Sequence, residues 1–114
     1  MRRSLHALGM RFLVDAPVPG TSRRRRADVL LRGLRIAVYV DGCFWHSCPQ
    51  HQHLPRTNRE WWQRKFASIV QRDHDTDRAV LAAGWTPVRV WEHEDPDEAA
   101  GRIRSLAVDL RAVT

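Results

Sequence analysis

The period of apolar and polar positions changes several times along the chain, and each change marks an element. Residues 1–9, MRRSLHALG, read as the end of a helix stopped by Gly9, and RFLV at 11–14 as a short strand. PVPGTSRRRR follows as a turn-rich basic loop. ADVLL from Ala27 and RIAVYVDG up to Gly42 are two β-branched apolar runs joined by the glycine-containing RGL, the pattern of a hairpin. Antiparallel pairing of these runs brings Asp28, near the start of the first, close to Asp41, at the end of the second. Two carboxylates are thereby expected at one edge of a sheet.

After an aperiodic loop from Gly42 to Arg56, TNRE at 57–60 fits a capping box, with the Thr57 hydroxyl accepting a backbone N–H and Glu60 reaching back. A long helix is predicted from there. Trp62, Phe66, Ile69, Asp73, Asp77 and Val80 recur at steps of three and four, so they share one stripe that should face the core. Asp73 is thus a carboxylate on an apolar face, which is costly unless paired. Gly84 ends the helix, WTPVRVW at 85–91 reads as a further strand, and DPDEAAGRIRSLAVDLRAV as a closing amphipathic helix entered through Asp95 and Pro96. The order of elements predicts a single domain over residues 1–114, an α/β or α+β sandwich built on a mixed central sheet flanked by helices.

Composition narrows the function classes. Hydrophobic residues make up 43% and charged residues 28% of 114, an ordinary globular mixture, and no apolar run approaches the roughly 20 residues that span a bilayer. The basic opening segment is interrupted by Arg and His and is followed by no small-residue cleavage site, so a cytoplasmic protein is expected. The net charge of +6 is carried almost wholly by arginine, Lys65 being the only lysine. Arginine's planar fork suits phosphate oxygens, so a polyanionic partner is the natural inference. Arg24 and Arg25, in the run Arg23 to Arg26, are candidate phosphate contacts; the other reading of that run is a solvated face, and an Arg-, Ala- and Asp-rich composition also follows from coding bias.

The stretch DGCFWHSCPQHQH, 41–53, holds both cysteines and three of the six histidines. A disulfide between Cys43 and Cys48 would close only a small loop and stabilise little, whereas a metal can staple a loop with no secondary structure of its own. Cys43, Cys48 and His51 supply three zinc ligands, and His93, just past the strand at 85–91, is the expected fourth, with His53 in reserve. The alternative is one core cysteine, one surface cysteine and solvated histidines.

VDGCFWHSC, REWWQRKF, QRD and AAGWTPVRVWEHE, with RRRADVLL upstream, together resemble the very-short-patch-repair DNA mismatch endonucleases, from about Leu5 to Glu94, in the same order and spacing. The resemblance implies a restriction-endonuclease-like fold with a zinc-stapled loop and magnesium-dependent nicking of duplex DNA on the 5′ side of the thymine in a T:G mismatch. Carried over by position, it implies that Asp28 binds magnesium together with the backbone carbonyl of Val40. His46 corresponds to the catalytic histidine, and Asp73 to the acid that holds and polarises it. Phe44, Trp45 and Trp62 correspond to aromatics that insert beside the mismatch, and Lys65 to a DNA contact. Trp61 and Trp85 are assigned to packing. A monomer acting on mismatched DNA alongside repair proteins is expected.

The sequence departs from the family pattern in three places. Cys48 stands at a histidine position, Gln50 with His51 beside it at a cysteine position, and WEH replaces WEC, leaving a Cys2His2 set. Asp41 occupies a position that is often histidine, so it is a candidate addition to the metal site. The family carries an acidic residue in a longer N-terminal segment that also grips DNA, and the chain begins at Met1 within the corresponding helix, so that acid has no counterpart; reduced activity, a different start site or a changed role are the expected consequences. Beside the mismatch nickase stand two alternatives: a zinc-stabilised DNA-binding module, and a defence-associated nickase with little mismatch specificity.

Overall fold

The computed structural model describes residues 1–22, 25–42 and 56–113. The order is α1 (Arg2–Ala7), β1 (Leu13–Pro17), β2 (Arg26–Leu31), β3 (Ile36–Asp41), α2 (Arg59–Ala82), β4 (Thr86–Trp91) and α3 (Pro96–Val113). This is an α+β domain around one mixed four-stranded sheet, ordered β1-β2-β3-β4. β1, β2 and β3 run antiparallel, as tight turns permit; β4 pairs parallel to β3, from Ile36↔Thr86 to Asp41↔Trp91, because the intervening chain, with α2, makes the crossover that parallel strands require.

Alternation along β3 sends Ile36 and Val38 to one face and Ala37 and Tyr39 to the other. The first face packs on Leu5 of α1 and on Ala99, Ala100, Ile103 and Ala107 of α3. The second packs on Val80 at the end of α2 and on Trp85. On β2 the alternation slips at one point: Val29 and Leu31 belong to the first face, while Leu30 and Ala27 both belong to the second. The residue at the slip is Asp28, and the β2–β3 register ends beside it, at Val29↔Val38.

The long helix ends as its sequence predicts. Gly84 adopts φ +86°, Gly84 N–H donates to Leu81 O and Trp85 N–H to Val80 O, both at 3.0 Å, and Trp85 folds back against Val80 in the same cluster. That is a Schellman closure, which favours glycine at the left-handed position. The start differs from expectation. The helix is capped at Asn58, itself left-handed at φ 57°, with no side-chain cap bond, so the Thr57 capping box does not form. The first strand likewise begins at Leu13 rather than Arg11 and continues through Pro17, since the ladder is set by its pairing with β2 rather than by the apolar run RFLV.

Glu94 fastens the turn between β4 and α3. Its Oε1 accepts the N–H of Trp91 at 2.9 Å and its Oε2 accepts Nη1 of Arg102 at 2.8 Å, while Arg102 Nη2 donates to Arg89 O at 3.1 Å. The Trp91 N–H holds the Glu94 carboxyl below its ordinary range, burial opposes this, and Arg102 adds to the lowering. Because the folded carboxyl titrates below the unfolded one, its contribution is complete above the ordinary glutamate range and lost as pH falls through the lowered value. Glu94→Gln is therefore expected to cost about 1 kcal/mol in urea unfolding at neutral pH, with the gap to wild type closing in acid. A gap that persisted unchanged in acid would contradict this.

Candidate functional site

The slip at Asp28 builds the site. The Oδ2 atom of Asp28 accepts the backbone N–H of Val40 at 2.7 Å, so the carboxylate is tied across to β3 at the sheet edge. Asp28 is solvent-exposed and Val40 half-exposed, and both border a cleft of about 230 Å³ that is also lined by Arg25, Arg26, Tyr39, Asp41, Asp73, Thr76 and Arg89. The hairpin therefore places Asp28 and Asp41 at one edge as expected, and the helix stripe brings Asp73 to the same cleft.

Asp41 and Asp73 meet at Arg89, a residue the sequence reading passed over. Arg89 Nη1 donates to Asp41 Oδ1 at 3.0 Å and lies 3.6 Å from Asp73 Oδ1. Its Nε and Nη2 both donate to Asp77 Oδ1, at 3.1 and 2.8 Å, and Nη2 also donates to the backbone carbonyl of Asp73 at 3.3 Å. The guanidinium stacks on Tyr39, 4.5 Å from the ring centroid. Burial works against the charge of Arg89, but the bond to Asp77 and the fields of Asp41, Asp77 and Asp73 outweigh it and hold the group above its ordinary pKa. Burial likewise raises the Tyr39 phenol, whose hydroxyl is enclosed with no hydrogen-bond partner among the described residues. A signal for Arg89 was present: VRV in β4 puts a charge at a mid-strand position, and the period of the long helix presents Asp73 and Asp77 on the side facing it.

Asp41, expected as a candidate addition to a metal site, is only 6% exposed and spends Oδ1 on Arg89. Asp28 is the carboxylate that stands open to the cleft. Arg25, a candidate phosphate contact, donates from Nη1 to Thr76 Oγ1 at 2.7 Å, which sets it beside Asp28. Lys65 is exposed on α2. Trp62 is part-buried, stacked on Phe66 at 5.7 Å and edge-on to Trp61 at 4.9 Å. Trp85 packs in the core, but Trp61, also assigned to packing, is 51% exposed.

Of the zinc candidates only His93 is among the described residues, exposed in the turn after β4. Cys43, Cys48 and His51 lie outside them, as do His46, Phe44, Trp45, Arg24 and the reserve ligand His53. Among the described residues no group of three His, Cys, Asp or Glu side chains is arranged to hold a metal. Among them, too, no helix is long and apolar enough to cross a membrane.

Comparison with known proteins bears on the same residues. The family model described as DNA mismatch endonuclease Vsr matches residues 1–52. The type II nicking enzyme V.NaeI of Lentzea aerocolonigenes is 36% identical over 104 residues, covering 90% of this chain and 63% of the relative. The type II nicking enzyme V.XorIIP of Xanthomonas oryzae pv. oryzae is 33% identical over 111 residues, 93% of this chain and 77% of the relative. The DNA mismatch endonuclease Vsr of Escherichia coli K12 is 33% identical over 90 residues, 74% of this chain and 52% of the relative. The chain thus spans between about half and three quarters of the length of these three relatives.

Proposed function

The chain belongs to the Vsr family of DNA mismatch endonucleases, and from that premise we propose that it hydrolyses one phosphodiester of duplex DNA, 5′ to the thymine of a T:G mismatch, using magnesium at Asp28 and a His46–Asp73 pair. The observation that carries this reading is the shared cleft. An exposed carboxylate, Asp28, and the helix carboxylate, Asp73, line it together with Arg25 and Arg26 at the basic end of β2.

The residues fit magnesium. One oxygen of Asp28 is oriented by the Val40 N–H, which leaves Oδ1 for a hard cation, and Val40 borders the same cleft. Magnesium is commonly held by one or two carboxylates with waters and substrate phosphate completing the shell. Bound there, it supplies positive charge for the oxygens that become more negative as the phosphodiester opens. The chain's own contributions are separate. His46 accepts the proton of the attacking water, and Asp73 favours its charged form and orients the ring. Arg25, beside Asp28, contacts the phosphate backbone together with Arg24 and Lys65, and Phe44, Trp45 and Trp62 stack against the bases at the mismatch, where a weakened step is cheaper to open.

A zinc-stapled loop is part of the same proposal. Asp41 pairs with Trp91 in the parallel register, and the Glu92 N–H donates to Asp41 O at 3.0 Å. β3 therefore ends alongside the turn that carries His93. Cys43, Cys48, His51 and His93 would form a closed Cys2His2 set, a structural rather than catalytic site.

The names of V.NaeI and V.XorIIP support nicking and do not mention a mismatch, which favours as a second reading a nickase with little mismatch specificity. One assay separates the readings: the protein is incubated with supercoiled or labelled duplexes, matched or carrying T:G, with magnesium or with EDTA. Magnesium-dependent single-strand cutting confined to T:G duplexes is expected; equal cutting of matched DNA selects the second reading, and binding without cutting rejects both. Zinc measured in the purified protein is expected near one per chain and lowered by His93→Ala.

A further inference from the structure

We infer that Arg89 is the positioning residue of this site: it fixes where Asp73 and Asp41 stand and takes no part in holding DNA. The inference deepens the nuclease reading and rests on it for its catalytic consequence.

The first support is how α2 is attached. Of its 24 residues only Phe66 and Val80 are buried, and fourteen positions separate them. Between these anchors the helix carries Asp73, Thr76 and Asp77, and polar bonds tie that stretch to the sheet: Arg25 to Thr76, and Arg89 to the Asp77 carboxylate and the Asp73 carbonyl. The register of the Asp73 turn against β3 and β4 is thus held by side-chain hydrogen bonds more than by apolar packing.

The second is the donor inventory. A guanidinium has five N–H groups in a fixed plane. Nε–H and one Nη2–H go to Asp77, the other Nη2–H to the Asp73 carbonyl and one Nη1–H to Asp41, while the Asp73 carboxylate stands 3.6 Å from Nη1. The face of the group lies on Tyr39. With four of its five N–H groups committed to protein oxygens, and the nitrogen that carries the fifth standing 3.6 Å from the Asp73 carboxylate, Arg89 has little left to offer a phosphate, which sets it apart from Arg25 in the same cleft.

The third is charge. Asp41, Asp73 and Asp77 converge on one cation, and carboxylates this close repel one another when it is removed. Lysine, a compact point charge with three donors, does not bridge the same set of oxygens.

The test compares wild type, Arg89→Lys and the double variant Arg89→Met/Asp77→Asn, which removes one charge of each sign and so keeps the local balance. On the intact duplex that wild type nicks, the double variant is expected to lose about a hundredfold in kcat, the scale of a small misplacement of a catalytic group, and Arg89→Lys about tenfold. KM should stay within about threefold in both, since DNA contacts are untouched. Wild-type kcat in the double variant overturns the inference, as does a raised KM with unchanged kcat, which would make Arg89 a DNA ligand. Should the double variant not fold, Arg89→Lys, which keeps the charge, decides on the same split. If wild type itself cuts no duplex, the nuclease reading fails and amide exchange decides the inference: residues 70–80 are expected to exchange faster in the variants while β1 and β2 do not change, and unchanged exchange at 70–80 overturns it.

Discussion

Asp28→Asn is expected to abolish nicking while leaving the protein folded. The substitution is nearly isosteric, and the asparagine side-chain oxygen can still accept the Val40 N–H that Asp28 Oδ2 accepts at 2.7 Å, so the tie between β2 and β3 survives. Asp28 is also exposed, so no apolar packing is lost. What disappears is the negative charge at the mouth of the cleft that would hold magnesium. Loss of several kcal/mol of transition-state charge stabilisation corresponds to a fall on the order of 10³-fold in the single-turnover rate. Thermal unfolding should shift by only a few degrees, since the change is at the surface and keeps its hydrogen bond. Binding of the T:G duplex in EDTA should be equal to wild type or slightly tighter, because a negative charge facing phosphate has been removed. A rate within tenfold of wild type at the same magnesium concentration would show that Asp28 is not the metal carboxylate, and would move attention to the other acids of the cleft.

That Asp28 stands close to Asp41 is legible in the sequence because strand signals are strong, whereas its proposed role comes from the family resemblance. A hairpin between two β-branched runs fixes which residues sit at the sheet edge, and a register slip of one residue would have turned the apolar set to solvent. The local disruption at Asp28, where Ala27 joins the face of Leu30, was not visible, because it depends on the carboxylate capturing a neighbouring strand's N–H. Asp73 was legible for the opposite reason: a carboxylate on a helical stripe asks for a partner. One partner among the described residues, Arg89, lies sixteen residues away in a strand, and only the packing of α2 across the sheet makes the pairing. Thr57 was misread because a capping box is a local pattern that Asn58, in a left-handed conformation, bypasses. Trp61 was assigned to packing by its apolar character, yet its helix position turns it outward.

The second large effect expected is a non-additive one. His46→Ala and Asp73→Asn should each lower kcat by roughly 10²–10⁴-fold, the usual contribution of a positioned general base and of the group that supports it. If Asp73 acts through His46, the double variant is no slower than the worse single variant, because the support is worth nothing once the base is gone. Asp73→Asn suits this cycle structurally. Its backbone carbonyl still accepts Arg89 Nη2, and the two bonds from Arg89 to Asp77 are untouched, so α2 keeps its attachment. The carboxylate lies 3.6 Å from Nη1 of Arg89, within ion-pair but beyond hydrogen-bond range, so the substitution removes its field at Arg89 while the bonds from Arg89 to Asp41 and Asp77 remain. Multiplying effects in the double variant would instead give Asp73 an independent role, as a metal or water ligand beside Asp28 in the cleft they share. Single-turnover rates at saturating T:G duplex and magnesium distinguish the two arrangements, with no need to know which chemical step limits the wild-type enzyme in steady state.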